Sequence, residues 1–565
     1  MITCGFEPSL PEDAQQSNTG GPRSGPSPGQ SAREILHRPL AGLLALAIAL
    51  AGCAMVGPDY VKPTAPEPRE WIEKEDPKIK SEPADFSTWW KVFEDPVLDT
   101  LIEKAYKQNL PLRMAGIRIL EARAQLGIAV GRQFPQWQRA EGGYAYRSRS
   151  ENTAGTLPGM DFDFGEINLG FDAAWEIDVW GRYRRAVESS IGNLEASIAN
   201  YDDVLVSLTA EVARTYVLVR TFEARLAVAR ENVKIQKRSL QIAEARFEGG
   251  EVSELDVQQA KALLRETQAL IPGLDINLRQ AKNGLAILLG ILPDQIEEIV
   301  GGPMPIPTPP VEVAVGIPAD LLRRRPDIRL AERRVASQCA LIGVAKADLY
   351  PHFVLFGSIG LRASDAAVTA AGFPGGSSFG DFFNSNSIEW FTGPAFSWSI
   401  FNYGRIKNRV RLQDARFQRL AVNYQNTVLR AAQEVEDAMV AFLRAQQEAG
   451  YLLGSVEASK RSVDLSMLQY REGLADYQRV LEAQRSLRVA QDRLAATTGS
   501  VAVNLVSMYK ALGGGWEIRV GRDFVPERVR EEMRERTNWG RLLAPEKAKL
   551  PAPEEKPKEW RRLAW

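Results

Sequence analysis

The chain states one long pattern twice, and that duplication limits its fold more than any single motif does. The segment Trp175-Glu-Ile-Asp-Val-Trp180-Gly181-Arg182 returns as Trp398-Ser-Ile-Phe-Asn-Tyr403-Gly404-Arg405, displaced by 223 residues. The same displacement carries Glu211-Val212 onto Glu434-Val435, Phe247 onto Tyr470, Gly250 onto Gly473 and Val257 onto Val480. Upstream the displacement is 216, so that Leu112-Arg113 falls on Ile328-Arg329 and Phe134-Pro135 on Tyr350-Pro351. Two copies of one unit therefore follow each other along the chain. The second copy has the longer excursion between its Pro and Trp landmarks.

Within each copy the hydrophobic period changes in the same order. From Pro96 to about Phe134 the spacing is helical, and two strand-like segments follow, around Ala140–Ser150 and Ile167–Asp178. The second alternates: Ile167, Leu169, Phe171, Ala173, Trp175 and Ile177 on one face, Asn168, Gly170, Asp172, Ala174, Glu176 and Asp178 on the other. Period two describes a strand with one apolar and one polar face. After Gly181 the spacing becomes three and four, through Leu205, Leu208, Val212, Tyr216, Val219, Phe222 and Leu226. The segment from about Arg184 to Glu248 predicts a rod of roughly 100 Å at ~1.5 Å per residue. Gly249-Gly250 turns the chain, and residues 252–290 return, with Pro272 marking a kink or a break. Copy two repeats this order, with a helix from about Asp327, strands near His352–Leu361 and Ile388–Phe401, and rods broken near Gly473. Its last strand carries Trp390, Thr392, Pro394, Phe396, Trp398 and Ile400 on one face, Pro394 suggesting an interface or a bulge. Such rods cannot bury an apolar stripe alone and need helical neighbours.

Composition narrows the function. Positive and negative side chains nearly cancel, 70 against 71, which gives no basic footprint for nucleic acid. Histidine occurs only at 37 and 352 and cysteine only at 4, 53 and 339, so a zinc site, a Ser/His/Asp triad or a Cys/His pair would rest on His352 and Cys339 alone, and no disulfide framework exists; carboxylate-only catalysis is not excluded this way, but nothing points to it. Cys339 reads as a small buried apolar residue. No catalytic, cofactor-binding or metal-binding residue is assigned.

The N-terminus carries an address. Residues 1–30 are rich in Gly, Ser, Pro and Gln, and Leu40–Leu50 is an apolar run of about a dozen residues, short of the roughly 20 a spanning helix needs. It has the form of a secretory signal. It ends in Leu50-Ala51-Gly52-Cys53, which resembles the lipobox of bacterial lipoproteins and implies lipidation of Cys53. Ala54 follows where an Asp is associated with inner-membrane retention, so the resemblance favours the outer membrane.

Four amphipathic strands cannot close a barrel, because an open sheet edge in lipid leaves backbone groups unpaired at several kcal/mol each. Chains must therefore combine, and duplication suggests a symmetric oligomer with a pseudo-repeat in each protomer. The chain resembles the TolC-like outer membrane factors, in particular their lipoprotein branch. The resemblance rests on Val56-Gly-Pro-Asp-Tyr60, Trp89-Trp90, both copies of the Trp-x4-aromatic-Gly-Arg junction, and Tyr509-Lys-Ala-Leu-Gly-Gly-Gly-Trp516. It implies an α+β membrane protein: a homotrimer with a 12-stranded outer membrane β-barrel, four strands per chain, continued by a long periplasmic α-helical barrel. It further implies the exit duct of a tripartite efflux pump for small molecules, without chemistry or cofactor of its own. The partners would be a periplasmic adaptor of the membrane fusion type, an inner-membrane transporter of the resistance-nodulation-division type, and outer membrane lipid. The expected organisation is a leader and signal at 1–52, a lipidated extended arm at 53–88 and a first repeat at 89–300. A Pro-rich equatorial linker at 301–320, a second repeat at 321–516 and a charged, partly disordered tail at 517–565 complete it.

Control is expected where the rods turn. Aligning Phe247-Glu-Gly-Gly250-Glu-Val-Ser-Glu-Leu-Asp256-Val257 with the family's first tip makes Asp256 the acceptor of a latch, and copy two supplies Tyr470 as its partner. Asp476, Arg479 and Glu482 complete the candidate gate. The family can carry two carboxylates three residues apart here; Arg479 instead offers a partner for Glu482 or Asp476, and a basic collar would alter ion preference. The same residues also read as solvated charges beside a turn. The rival functions are metal-ion efflux or type I protein secretion through the same fold, and a lipid-anchored coiled-coil scaffold without a pore.

Overall fold

Asp95 starts the first helix, α1 (Pro96–Gln108), by accepting from the amides of Val97 and Leu98, with Pro96 at a position that needs no amide. Asn109 ends it and caps α2 (Leu110–Gly131) by accepting from the Leu112 amide. One helix was expected over this stretch; the capping asparagine divides it into two. The computed structural model describes residues 55–544 except 67, 81, 83–84, 153–158, 160, 317, 319–323, 369–374 and 377. The leader, the signal and Cys53 lie outside the described residues, as does the tail beyond residue 544.

Strands β1 (Trp137–Ser148), β2 (Asp163–Ile177), β3 (His352–Ser364) and β4 (Ile388–Ser397) form one antiparallel sheet in that order. Residues facing each other across an antiparallel ladder share a face. Phe171 lies opposite Ala140 and Ile359, Ile359 opposite Trp390, and Trp175 opposite Leu355, which assembles one apolar face. Arg139, Asp172, Ser358, Asn168, Arg362 and Glu389 stand on the other. The apolar face is uncovered in the single chain, with Phe171 65% and Trp390 69% exposed. The extended pattern expected to Phe401 stops at Ser397, and Asn402 turns back to donate to the Ser399 carbonyl. Pro394 stands opposite Leu355 in an unbroken register on the outer strand of the sheet, not at a bulge.

The rods α3 (Arg182–Glu248) and α6 (Arg405–Arg471) each run for 67 residues. Their return helices are α4 (Glu254–Leu289) and α7 (Tyr477–Ala511), and α5 (Pro326–Ala347) is the counterpart of α2, both of 22 residues. Pro272 neither breaks nor ends α4. It sits on the exposed side, where water can take up the carbonyl that proline leaves without a donor. The two hairpins meet along α3 and α7, while α5 lies against α3 and α6.

The main core lies partway along the rods. Trp89 stacks on Tyr509 with ring centres 5.3 Å apart and meets Trp90 edge-on at 5.8 Å. Arg220, fully buried, donates to Glu223 and to the carbonyls of Val300 and Gly302, tying α3 to the start of the Pro-rich passage. A parallel bridge of Ile79-Lys80 with Val313-Ala314 holds the arm to the end of that passage. Asp202 on α3, wholly buried, accepts from Arg329 on α5 at 2.7 Å and from Arg519 at 2.9 Å. The start of the tail, expected to be partly disordered, is folded through residue 544. Its helix α8 (Glu527–Arg536) and neighbours bury Val525, Met533 and Leu543 against Leu120 of α2.

Removing one carboxylate from a buried charge cluster strands the charges that it served, at a cost of ~3–5 kcal/mol. Asp202→Ala is expected to lower the thermal unfolding midpoint clearly in detergent, followed by circular dichroism, and Asp202→Asn to do so by less. An unchanged midpoint would show that the α3–α5 seam does not depend on this cluster.

Candidate functional site

The two strand-to-helix junctions repeat at the level of single hydrogen bonds. The indole of Trp175 donates to the Gln133 carbonyl at 3.1 Å, and that of Trp398 to the Leu349 carbonyl at 3.0 Å. Gly181 and Gly404 precede the rods with φ of 77° and 80°, a left-handed conformation that a side chain would strain. Trp180 crosses between copies: it stacks on Tyr350 at 4.6 Å and donates to the Pro351 carbonyl at 2.8 Å. Arg182 reaches Glu176 at 3.5 Å and Asp348 at 3.7 Å. Glu176 also receives the Tyr183 hydroxyl at 2.9 Å and faces His352 Nδ1 at 2.8 Å. The copy-two counterparts make no such set: Tyr403 is fully exposed, and Arg405 has no ion pair among the described residues.

At the opposite end the hairpins turn at Gly249-Gly250 and at Glu472-Gly473. Tyr470, at the end of α6, donates to Asp256, at the start of α4, at 3.2 Å, so this contact joins the two hairpins of one chain. Tyr470 is buried, and its ring meets Tyr477 edge-on at 5.2 Å within a cluster completed by Ala243, Val257, Ala260, Leu263, Val480 and Leu481. Burial first, and then the Asp256 carboxylate, push the Tyr470 phenol up to about 12. It therefore stays a proton donor across the neutral range. Tyr477 is shifted up further, chiefly by burial.

Arg246, which the sequence reading missed, lies over the Tyr470 ring at 4.8 Å and pairs with Glu251 at 3.0 Å. It stands one residue before Phe247 on a charged helix, so only the folded turn reveals its role. Asp476, Arg479 and Glu482 are exposed. Among the described residues Arg479 pairs with neither Glu482 nor Asp476, which corrects the expected pairing. Arg479 and Glu482 both point into a shallow groove between α6 and α7 lined by Ser462, Leu465 and Gln469. The tip thus holds a part-buried phenol–carboxylate contact, the Arg246–Glu251 pair beside it and, at Arg479, an exposed cation without an ion pair among the described residues. Among the described residues no cluster of His, Cys, Asp and Glu could hold a metal ion.

A family model described as outer membrane efflux protein matches residues 101–291 and 317–514, one stretch in each copy. The pyoverdine export outer membrane protein OpmQ of Pseudomonas putida is 31% identical over 489 residues, covering 84% of this chain and 97% of that one. The cation efflux system protein CusC of Escherichia coli is 28% identical over 480 residues, covering 84% and 98%. Among solved structures, the outer-membrane channel OprN matches with a TM-score of 0.74 at 33% identity, over 82% of this chain and 99% of that one.

The ring cluster at the tip is local, and so should be its loss. Truncating a buried aromatic costs ~3–5 kcal/mol. Tyr477→Ala is expected to raise amide hydrogen exchange in residues 240–263 and 467–487 while leaving the core around Trp89 protected. Uniform deprotection of the whole chain would refute a separable tip.

Proposed function

The chain belongs to the outer membrane efflux protein family, and from that premise we propose how this duct is closed. The protein is an outer membrane exit duct for efflux, with the fold of that family's trimeric channels. Family membership sets aside the scaffold without a pore. In a trimer, β4 of each protomer meets β1 of the next, which removes every sheet edge. The apolar face then meets lipid and the polar face lines the water path.

The gate is the tip, and the observation that carries this reading is the Tyr470–Asp256 hydrogen bond between hairpins. Opening requires neighbouring hairpins to part, and this contact resists it. A net ~1 kcal/mol per hydrogen bond, repeated in three protomers, biases the closed state by about 3 kcal/mol, roughly a hundredfold in population. The cargo is small molecules handed over by a periplasmic adaptor on a transporter of the resistance-nodulation-division type. Lipidation of Cys53 fastens the arm to the outer membrane, several acyl chains making release negligible at ~0.8 kcal/mol per buried methylene.

Single-channel conductance in planar bilayers tests the gate. Small or silent currents are expected from the unaltered protein, and currents raised at least tenfold from Asp256→Ala and Tyr470→Phe. Equal currents in all three would refute a latch at this contact. For the anchor, Cys53→Ser is expected to abolish incorporation of labelled palmitate; retained label would assign the acyl chains elsewhere.

A further inference from the structure

The polar face of the sheet carries a row of charges that crosses all four strands. Arg147 on β1 pairs with Glu166 on β2 at 2.8 Å, Glu166 with Arg362 on β3 at 2.9 Å, and Arg362 with Glu389 on β4 at 3.6 Å. Signs alternate along the row, so each inner member is held from both sides. The outer members are not. Among the described residues Arg147 has an ion pair only with Glu166, and Glu389 only with Arg362. Their side chains stay 53% and 60% exposed, against 11% for Glu166. The row thus begins with a cation on one edge of the sheet and ends with an anion on the other. These are the edges that meet when three sheets close into a barrel.

The register of that seam follows from faces and lengths. Arg139 stands opposite Asp172, Asp172 opposite Ser358 and Ser358 opposite Phe391, so the face that carries the row takes the odd-numbered residues of both β1 and β4. Odd must meet odd across the seam, because a slip of one residue would turn every side chain of β4 to the wrong face. β1 and β4 run antiparallel, with twelve and ten residues. Only two registers match the faces and pair all ten: Ser397 opposite Trp137, or Ser397 opposite Arg139. They set Glu389 opposite Ala145 or Arg147. In the first, Arg147 lies one diagonal away, the reach by which it already meets Glu166, whose direct partner is Ala145.

We propose that Glu389 of each chain pairs with Arg147 of the neighbouring chain, closing the row into a ring of alternating charges, four from each of three chains, inside the barrel. This rests on the trimeric barrel described above and adds the register in which its chains join. Exposed ion pairs contribute little stability, so the ring acts by choosing between registers. Backbone hydrogen bonds are alike in all of them, and a slip of two keeps the lipid face apolar. A slip of four from Ala145 would set Glu389 against Glu141, like charge against like. Equal numbers of cations and anions also leave this part of the water path without net charge.

The test uses the full-length protein in membranes and mild detergent. Within one chain the two edges lie three strand spacings apart, about 14 Å, beyond the reach of a disulfide, so any link joins two chains. Glu389→Cys combined with Arg147→Cys or with Ala145→Cys is expected to give chain multimers on oxidation, reversed by reductant. Glu389→Cys with Glu141→Cys, and each single variant, should give none. Intact trimers that link through position 141, or through neither 145 nor 147, overturn the ring alone; a monomeric mass overturns the trimer beneath it. Glutamine variants test the charges. Glu389→Gln and Arg147→Gln are each expected to speed trimer dissociation about tenfold, from about twofold per exposed pair over three copies. Together they should fall well short of the roughly hundredfold that independent losses would give. The full product would make the two strands neighbours without an ion pair and overturn the pairing.

Discussion

Unpaired backbone at the two edges of a four-stranded sheet is the condition on which the rest of this structure depends. Among the described residues neither β1 nor β4 has a second neighbour within the chain, and lipid offers no donor or acceptor to replace one. Association answers that need, and association in turn decides what the remaining surfaces do. The exposed band containing Phe171 and Trp390 becomes an exterior, and Arg139, Asp172 and Arg362 become a wet lining. The long helices inherit the same logic, since an arc of four rods has two free sides just as the sheet has two free edges.

Stability is distributed unevenly along the rods. The middle is crossed by aromatic stacking around Trp89 and Tyr509 and by the buried carboxylate of Asp202, shared by two arginines from different parts of the chain. The tip relies on a small cluster around Tyr470 and Tyr477 and on a few hydrogen bonds between hairpins, Tyr470 to Asp256 and Gln484 to Ser239. A firm waist and a weakly held end are what the proposed opening at the tip requires of a tube that is not to come apart in the middle.

Much of this was legible in the sequence because period and duplication are local properties. The rods and the positions of the four strands follow from spacing, and the junctions at Trp175 and Trp398 from the repeat, whereas the order of the strands in the sheet is seen only in the structure. Tyr470 and Asp256 came from a family resemblance, and the hydrogen bond between them is a matter of tertiary geometry. What escaped depends on contacts between distant segments. Asn109 splits a helical pattern because its side chain caps the next helix while donating to the Leu288 carbonyl. The tail after Trp516 reads as charged and loose, yet Val525, Met533 and Leu543 find an apolar patch on α2. Arg479 and Glu482 are spaced to meet on one helix face, but both turn outward into a groove.

The identical length of α3 and α6, 67 residues each, sets a rule for how the sequence can change. Each residue added to a helix turns everything beyond it by about 100° and lifts it by ~1.5 Å. A single insertion in one rod would leave its hairpin end rotated away from its neighbours and raised above their level. Insertions and deletions should therefore be tolerated here only in both copies together, and in multiples of seven, so that the ends stay level and in phase. The duplicated gene is thus bound to a common ruler: substitutions, and even the length of the excursion between the strands, can change independently in its two halves, but the lengths of the rods cannot.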